Sequence, residues 1–198
     1  MEDRMIGEGV RHAAEQPLRA DAKRNHDLLI DVAATVFAEL GVDAPIKEIA
    51  SRAGVGVGTF YRRFPKRSDL IVAVFRREVE TCASSAEVFA GQHAPFDALR
   101  HWIERYVDLI VTKRGLAAAL HSGEPAYEGL PEYFEARLTP PLEELLKAAG
   151  EELETRVSAN ELLRAVALLC APAASGDYAQ TRRMVTLLVN GLRVASDS

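Results

Sequence analysis

Apolar residues recur at the three- and four-residue spacing of a buried helix face along almost the whole chain of 198 residues. In NHDLLIDVAATVFAELG the spacing of one buried stripe is kept by Leu29, Ala33, Val36, Phe37 and Leu40. Similar patterns run from about Arg67 to Gly91 and from Phe96 to about Val111. No stretch alternates apolar and polar residues as a half-buried strand does. The sequence therefore predicts an all-α fold with about nine helices.

Glycine and proline divide this pattern into separate helices. Gly41 is a stop for the first long helix, and Pro45 opens IKEIASRA, where its missing N–H costs nothing. Later in the chain we expect a short helix in GLAAALHS (115–122), a loop in GEPAYEGLPE (123–132) and a helix from about Glu132 to Ala149, interrupted at Pro140 and Pro141. Two final helices are expected at about 159–173 and 178–194.

The composition indicates a globular protein with few special features. Hydrophobic residues make up 48% of the chain, yet no apolar run approaches the ~20 residues of a membrane span. The N-terminal residues lack the apolar stretch of a signal peptide, so we expect a cytoplasmic protein without membrane contact. Cys82 and Cys170 allow at most one bridge and are expected to be reduced thiols without a redox role.

Positive charge is concentrated in one short segment of an acidic chain. The net charge is −5, but residues 45–67 hold six Lys and Arg residues against one acidic residue, Glu48. Residues 81–198 hold 11 basic and 16 acidic residues. A charge run is usually a solvated helix face; its concentration in one structured stretch favours contact with a polyanion.

The segment AGVGVGTFYRRF (53–64) has two possible interpretations. A phosphate-binding glycine loop follows a strand, but the preceding segment is helical, position 59 is Thr, and no Lys-Ser/Thr pair follows. If the segment is instead the turn and second helix of a helix–turn–helix, Gly54 provides the positive φ of the turn and Val55 fills the angle between the helices. Phe60 and Phe64 then face inward. This arrangement places a recognition helix in the major groove of DNA.

The stretch from Ile49 to Phe64 contains the pattern I-A-x-x-A-G-V-x-x-G-T-x-Y-x-x-F without a gap, and about 48 residues around it resemble the N-terminal domain of the TetR family of transcriptional regulators. The resemblance implies a three-helix DNA-binding head and a helical bundle for ligand binding and dimerisation. We therefore expect a disordered tail over 1–22, the head over 23–68 and the body over 69–198. The implied function is a ligand-responsive repressor, not an enzyme and without a cofactor, that a small effector releases from double-stranded operator DNA. Because no cluster of basic residues lines the helices of the body, we expect this effector to be mostly apolar or aromatic.

The resemblance and the outward side of the second and third helices give the candidate DNA contacts. They are Lys47, Val57, Gly58, Thr59, Tyr61, Arg62, Arg63 and Arg67. One of Arg62 and Arg63 is expected to pair with a guanine and the other with a phosphate. Arg67 matches a family lysine at the start of the fourth helix. Pro45 departs from the Thr or Ser that usually caps the second helix and contacts a phosphate, so that contact is not carried over.

The resemblance places the effector pocket among aromatic residues of the body. Its expected lining is Trp102, Tyr106, Ile110, Leu120, His121, Tyr127, Tyr133 and Phe134. An aromatic stripe at helical spacing can equally be plain core. The last two helices are apolar on more than one face, which predicts a homodimer interface through Leu162, Val166, Leu169, Val185, Leu188 and Leu192.

Two other functional classes remain open from the sequence. A hydrolase could be built from His121, Glu124 and Glu128, although no nucleophile motif accompanies them. A purely structural adaptor would make the basic helix–turn–helix accidental. No metal site is expected, because His93, His101 and His121 do not follow the i, i+4 spacing of a helical metal pair.

Overall fold

The computed structural model describes residues 7–112, 123–154, 156–170 and 178–193 of the chain, with side chains described from Lys23 onward. Within those ranges the fold is all-α, as predicted. The helices are α1 (Gly7–Leu40), α2 (Ile46–Arg52), α3 (Val57–Arg63), α4 (Arg67–Gln92), α5 (Pro95–Thr112), α6 (Leu130–Ala148), α7 (Ala159–Cys170) and α8 (Tyr178–Asn190). None of them combines the length and apolar content that a membrane-spanning helix needs.

The chain divides into two compact units, Met1–Leu70 and Ile71–Ser198, with the division inside α4. In the first unit the predicted stripe of α1 is buried from Leu29 to Phe37, while Leu40 is 53% exposed. Ile49 of α2 and Phe60 of α3 complete this core. Gly41 follows the last residue of α1 with φ +82°, a backbone conformation that residues other than glycine rarely adopt.

The second unit is a bundle of the remaining part of α4 with α5–α8. Its largest fully buried side chains are Trp102, Tyr106, Leu99, Ile103, Leu130, Leu138, Leu142 and Leu162. The backbone N–H of Glu154 donates to Leu192 O over 2.9 Å, so the segment before α7 is tied to the end of α8. The buried side chains show that each of the helices α5–α7 packs an apolar stripe against its neighbours.

The structure differs from the sequence-based expectations in two places. Helix α1 begins at Gly7, inside the expected disordered tail 1–22, in a stretch rich in Ala, Glu and Arg, which favour helix. Helix α6 is continuous through Pro140 and Pro141, where we expected an interruption. The φ of proline suits a helix, and buried leucines on both sides of the pair hold this one in place. The short helix expected at 115–122 lies outside the described residues.

Candidate functional site

The turn between α2 and α3 has the geometry of a helix–turn–helix. Gly54 has φ +67°, and the N–H of Val55 donates back to Ala50 O over 3.0 Å. Gly56 is the N-cap of α3, and its carbonyl accepts the N–H groups of Thr59 (2.9 Å) and Phe60 (3.0 Å). The four residues 53–56 therefore end one helix and start the next, as the glycine positions predict.

Helix α3 has one buried and one exposed side. Phe60 is fully buried, and its ring centroid lies 5.7 Å from that of the buried Phe64. The other side presents the residues that we call the recognition surface: Val57, Gly58, Thr59, Tyr61, Arg62 and Arg63, all exposed except the half-buried Thr59. The Arg62 guanidinium donates to the Thr59 hydroxyl over 2.8 Å, which limits the orientations that it samples. A Cβ on Gly58 would meet no protein atom within 4 Å.

The other basic residues of the segment 45–67 are in different states. Lys47 is exposed on α2. Arg52 is paired with Glu39 (2.5 Å) and Glu48 (2.7 Å), so its charge is neutralised within the protein. Arg67, expected to contact a phosphate, is half-buried and donates to the backbone carbonyls of Val42 and Ala44. The Arg67 guanidinium therefore has partners within the protein, and its contact with a phosphate stays a prediction.

The expected effector-pocket residues do not all line a cavity. Trp102 is fully buried and its indole N–H donates to Cys82 O over 2.9 Å, so it offers no polar group to a ligand. Tyr127 is also buried, while Ile110, Tyr133 and Phe134 are half-buried. Leu120 and His121 lie outside the described residues, and with them the central residue of the hydrolase alternative.

A cavity of about 440 Å³ does open beside two of these residues, within the size range of small-molecule sites. Its lining is formed by Tyr106, Pro131, Phe134, Glu135, Asn160, Leu163, Arg164 and Ala167. Trp102, Ile110, Tyr127 and Tyr133 are not part of this lining. The Tyr106 hydroxyl donates to Leu163 O over 3.2 Å, and burial raises the pKa of Tyr106 above its ordinary value. We call this space the α5–α6–α7 cavity; its polar groups come from Glu135, Asn160 and Arg164, which the sequence-based prediction missed.

Helix α6 connects the cavity with α4. Phe134 lines the cavity and stacks on Phe75 of α4, with ring centroids 6.1 Å apart. Next to this contact, Arg137 donates to both carboxylate oxygens of Glu80 and Tyr133 donates to one of them. The Arg137 guanidinium, and then the Tyr133 hydroxyl, hold the pKa of Glu80 below its ordinary value. We call the Glu80–Tyr133–Arg137 group the α4–α6 latch.

The apolar face expected at the dimer interface is shifted around the last two helices. Leu162, Val166, Val185 and Leu192 are buried in the protomer's own core, where they cannot contact a second copy. Leu169 and Leu188 are half-buried. The exposed apolar side chains are instead Leu168 (73% exposed), Leu187 (64%) and Met184, which we call the α7–α8 apolar surface. Leu168 and Leu187 stand one residue before the predicted Leu169 and Leu188, but the sequence does not fix which apolar face of each helix turns inward.

Both cysteines are buried as free thiols. Burial raises the pKa of Cys82 to about 12 and that of Cys170 to about 11. Each thiol is therefore protonated at neutral pH, a state in which it is a poor nucleophile.

Comparison with known proteins decides the family. The profile for bacterial regulatory proteins of the tetR family matches residues 29–74, which contain the helix–turn–helix. The profile for the C-terminal domain of SbtR-like transcriptional regulators matches residues 94–194, about half of the chain. The chain belongs to the TetR family of transcriptional regulators.

Solved TetR-family structures resemble most of the chain. A TetR transcriptional regulator from Streptomyces coelicolor is 33% identical, with a TM-score of 0.71 over 86% of this chain and 99% of that one. A TetR regulatory protein from Mycobacterium vanbaalenii is 34% identical, with a TM-score of 0.70 over 90% of this chain and 100% of that one. Both likenesses include the body as well as the head.

Curated relatives match over a shorter length. An HTH-type transcriptional regulator from Staphylococcus aureus (strain USA300) is 25% identical over 108 residues, which is 54% of this chain. The match spans 58% of that relative's length. Members of the TetR family bind operator DNA and dimerise, and their family role is regulation of transcription and not catalysis.

Proposed function

We propose that this TetR-family chain is a homodimeric repressor that binds operator DNA through α3 and is released by a small molecule bound in its body. The observation that carries the proposal is the recognition surface: a family-typical helix whose exposed side holds Thr59, Tyr61, Arg62 and Arg63 around Gly58. No acidic residue lies on α3, so its exposed side is suited to a polyanion.

Each part of this surface has a distinct task in the proposal. Arg62 and Arg63 bind a guanine edge and a phosphate, and Lys47 adds a phosphate contact from α2. The Tyr61 side chain is half exposed, and its hydroxyl contacts the DNA backbone. Val57 meets a thymine methyl, while the bare backbone at Gly58 lets α3 approach the groove closely.

The α5–α6–α7 cavity is the proposed effector site. Its walls are mostly apolar, and one acid, one amide and one arginine supply the polar contacts. This lining suits a small aromatic molecule that is neutral or carries a single charge, because opposite charges of Glu135 and Arg164 offset each other. RolR, a protein of the same fold at 19% identity and a TM-score of 0.55, has been crystallised with resorcinol, a molecule of this size and type.

Phe134 is the proposed link between effector and operator. A ligand that displaces its ring from the cavity wall also disturbs its contact with Phe75 of α4 and the neighbouring α4–α6 latch. Helix α4 begins in the first unit at Arg67 and continues in the second, so one helix belongs to both units. An effector then acts because it binds the DNA-competent and released states with unequal affinity, typically by a coupling of roughly 1–3 kcal/mol.

Selection of bound duplexes from a random pool tests the DNA-binding part. We expect the wild-type protein to enrich an inverted repeat whose half-sites are centred about one helical turn or a multiple apart. The double variant Arg62→Ala/Arg63→Ala, carried through the same selection, should enrich nothing. Failure of the wild-type protein to enrich any sequence contradicts the proposal.

Ligand screening tests the sensor part. Phenols and aromatic carboxylic acids are added one at a time, and a compound that binds should raise the melting temperature. The same compound should lower the affinity for the selected operator. Saturating operator should lower the affinity for the compound by the same factor. Ala167→Trp fills the cavity and should abolish the response while operator affinity is kept. A ligand that binds tightly without changing operator affinity overturns the sensor role alone.

A further inference from the structure

Helix α2 begins without the side-chain cap that usually holds a helix start. Its N-cap is Pro45, which has no side-chain cap hydrogen bond and no N–H of its own. The turn before it also has two carbonyls, Val42 O and Ala44 O, that accept no backbone N–H in the part of the chain that the structure describes. The turn 41–45 therefore needs partners from elsewhere, because unpaired carbonyls in partly buried positions are costly.

Arg67 supplies those partners from the first position of α4. Its Nε donates to Val42 O over 2.8 Å, and its Nη2 donates to the same oxygen and to Ala44 O, the latter over 2.6 Å. The guanidinium is a planar fork, so it holds both carbonyls in one fixed arrangement. The base of the fork is rigid, since Ser68 and Leu70 are buried and Asp69 accepts the N–H of Lys66 over 2.9 Å.

We infer that Arg67 is a positioning residue for operator binding: it fastens the turn 41–45, which precedes the uncapped start of α2, to the start of α4. The turn leads directly into α2, which carries Lys47, and α2 is the helix that crosses the DNA backbone in this motif. Loss of the guanidinium loosens the placement of α2 without removing a contact to DNA. The operator-binding part of this inference rests on the proposed function; the fastening of the turn does not.

A phosphate contact and a positioning residue make different predictions for the salt dependence of binding. Removing a side chain that neutralises a phosphate lowers the slope of log affinity against log salt by about one. Removing a side chain that only holds protein carbonyls weakens binding and leaves the slope unchanged. The bonds of Arg67 to Val42 O and Ala44 O favour the positioning role, because they occupy its donors within the protein.

Amide hydrogen exchange of the DNA-free protein tests the fastening directly. In Arg67→Met, the amides of residues 42–49 should exchange about tenfold faster or more, because charged hydrogen bonds to that segment are lost. Lys66→Met is the matched control: it removes the same charge one residue earlier, from an exposed side chain, and should leave this exchange unchanged. Arg67→Lys keeps the charge and some donors and should restore part of the protection. Unchanged exchange in Arg67→Met, or equal acceleration in Lys66→Met, overturns the inference.

Titration of the selected operator at several salt concentrations tests the consequence for DNA. Arg67→Met should bind about tenfold more weakly than wild type at every salt concentration, with the same slope, and Arg67→Lys should lie between them. A slope lowered by about one identifies Arg67 as a phosphate contact and overturns the positioning role. If selection yields no operator, the proposed function fails, and the exchange measurements still decide whether Arg67 holds the turn.

Discussion

Two exposed surfaces of the molecule differ in chemistry. The recognition surface on α3 is small, basic and polar, with glycine at its centre. The α7–α8 apolar surface presents Leu168 and Leu187, whose side chains are 73% and 64% exposed, more than any other large hydrophobic residue in the described part of the chain. The first surface is stable in water, whereas the second gains free energy when it is covered.

This difference indicates what kind of partner each surface suits. Charged and hydrogen-bonding groups on a short helix suit a hydrated polyanion, and they favour binding that weakens with salt. Exposed leucines on two adjacent helices suit a matching apolar face, and a second copy of the same chain provides one by symmetry. We therefore propose the α7–α8 apolar surface, not the six residues first predicted, as the dimer interface.

The largest effect is expected from a charge in the apolar surface. Leu187→Glu would bury an unpaired carboxylate in the dimer, at a cost of roughly 3 kcal/mol or more. Light scattering at micromolar concentration should then show a monomer, and operator affinity should fall because half-sites are no longer bound together. Val88→Glu, at a residue of α4 that is 52% exposed and outside both surfaces, is the matched control. A dimer that survives Leu187→Glu shows that the copies meet elsewhere.

A smaller effect is expected from the recognition surface. Arg62→Ala and Arg63→Ala should each lower operator affinity by about 1–3 kcal/mol, with no change in oligomeric state or melting temperature. Titration of the selected operator measures the loss. Lys147→Ala removes one charge from the exposed side of the body and should cost far less. Equal losses for all three variants would mean that only overall charge matters.

Gly58→Ala separates stability from recognition. Alanine is favoured over glycine by about 0.5–1 kcal/mol in a helix interior and by less at the second residue of α3, where Gly58 stands. The added methyl meets no other protein atom within 4 Å, so the melting temperature should rise slightly. Operator affinity should fall by about tenfold, roughly 1.4 kcal/mol, because the methyl projects toward the DNA. Thermal denaturation and operator titration on one preparation measure both. A stabilised protein with unchanged affinity removes Gly58 from the recognition surface.

The smallest effect is expected at Glu80, which belongs to neither surface. The pKa of Glu80 is lower in the folded protein than the ordinary value of 4.5, so its ionised form stabilises the fold above that pH and the contribution disappears as pH falls through the lower folded-state pKa. Glu80→Gln should therefore lower the free energy of unfolding by about 1 kcal/mol or less at pH 7, because the Glu80–Arg137 pair is largely exposed. At a pH below the folded-state pKa of Glu80 the substitution should have no effect. Urea denaturation at both pH values measures this; a difference that does not depend on pH contradicts the latch.

The helix–turn–helix could be predicted from sequence because its signals are local. Gly54 has the positive φ that its position in the turn predicted, and Phe60 and Phe64 face inward as their spacing indicated. Each of these features depends on residues within one or two turns of helix. The role of Arg67 could not be predicted in this way, since its partners Val42 and Ala44 lie 25 and 23 residues earlier in the chain.

The body was predicted in outline only, for a physical reason. When a helix is apolar on two sides, as α7 is, periodicity does not say which side meets its own bundle, and Leu168 rather than Leu162 turned out to be exposed. Aromatic spacing likewise did not separate core from cavity: Trp102 satisfies its N–H within the core, while Phe134 borders open space. Both distinctions depend on packing between distant segments, which one sequence does not encode visibly.

The burial of both native thiols has a practical consequence for measuring conformational change. Since only thiolates attack maleimides and methanethiosulfonates, Cys82 and Cys170 leave the folded protein almost inert toward such labels. A cysteine introduced at Leu28, which is 45% exposed on α1, then becomes the single point of attachment for a spin label in each protomer. In a homodimer, the distribution of distances between the two spin labels would report the separation of the two heads, with the native cysteines left in place.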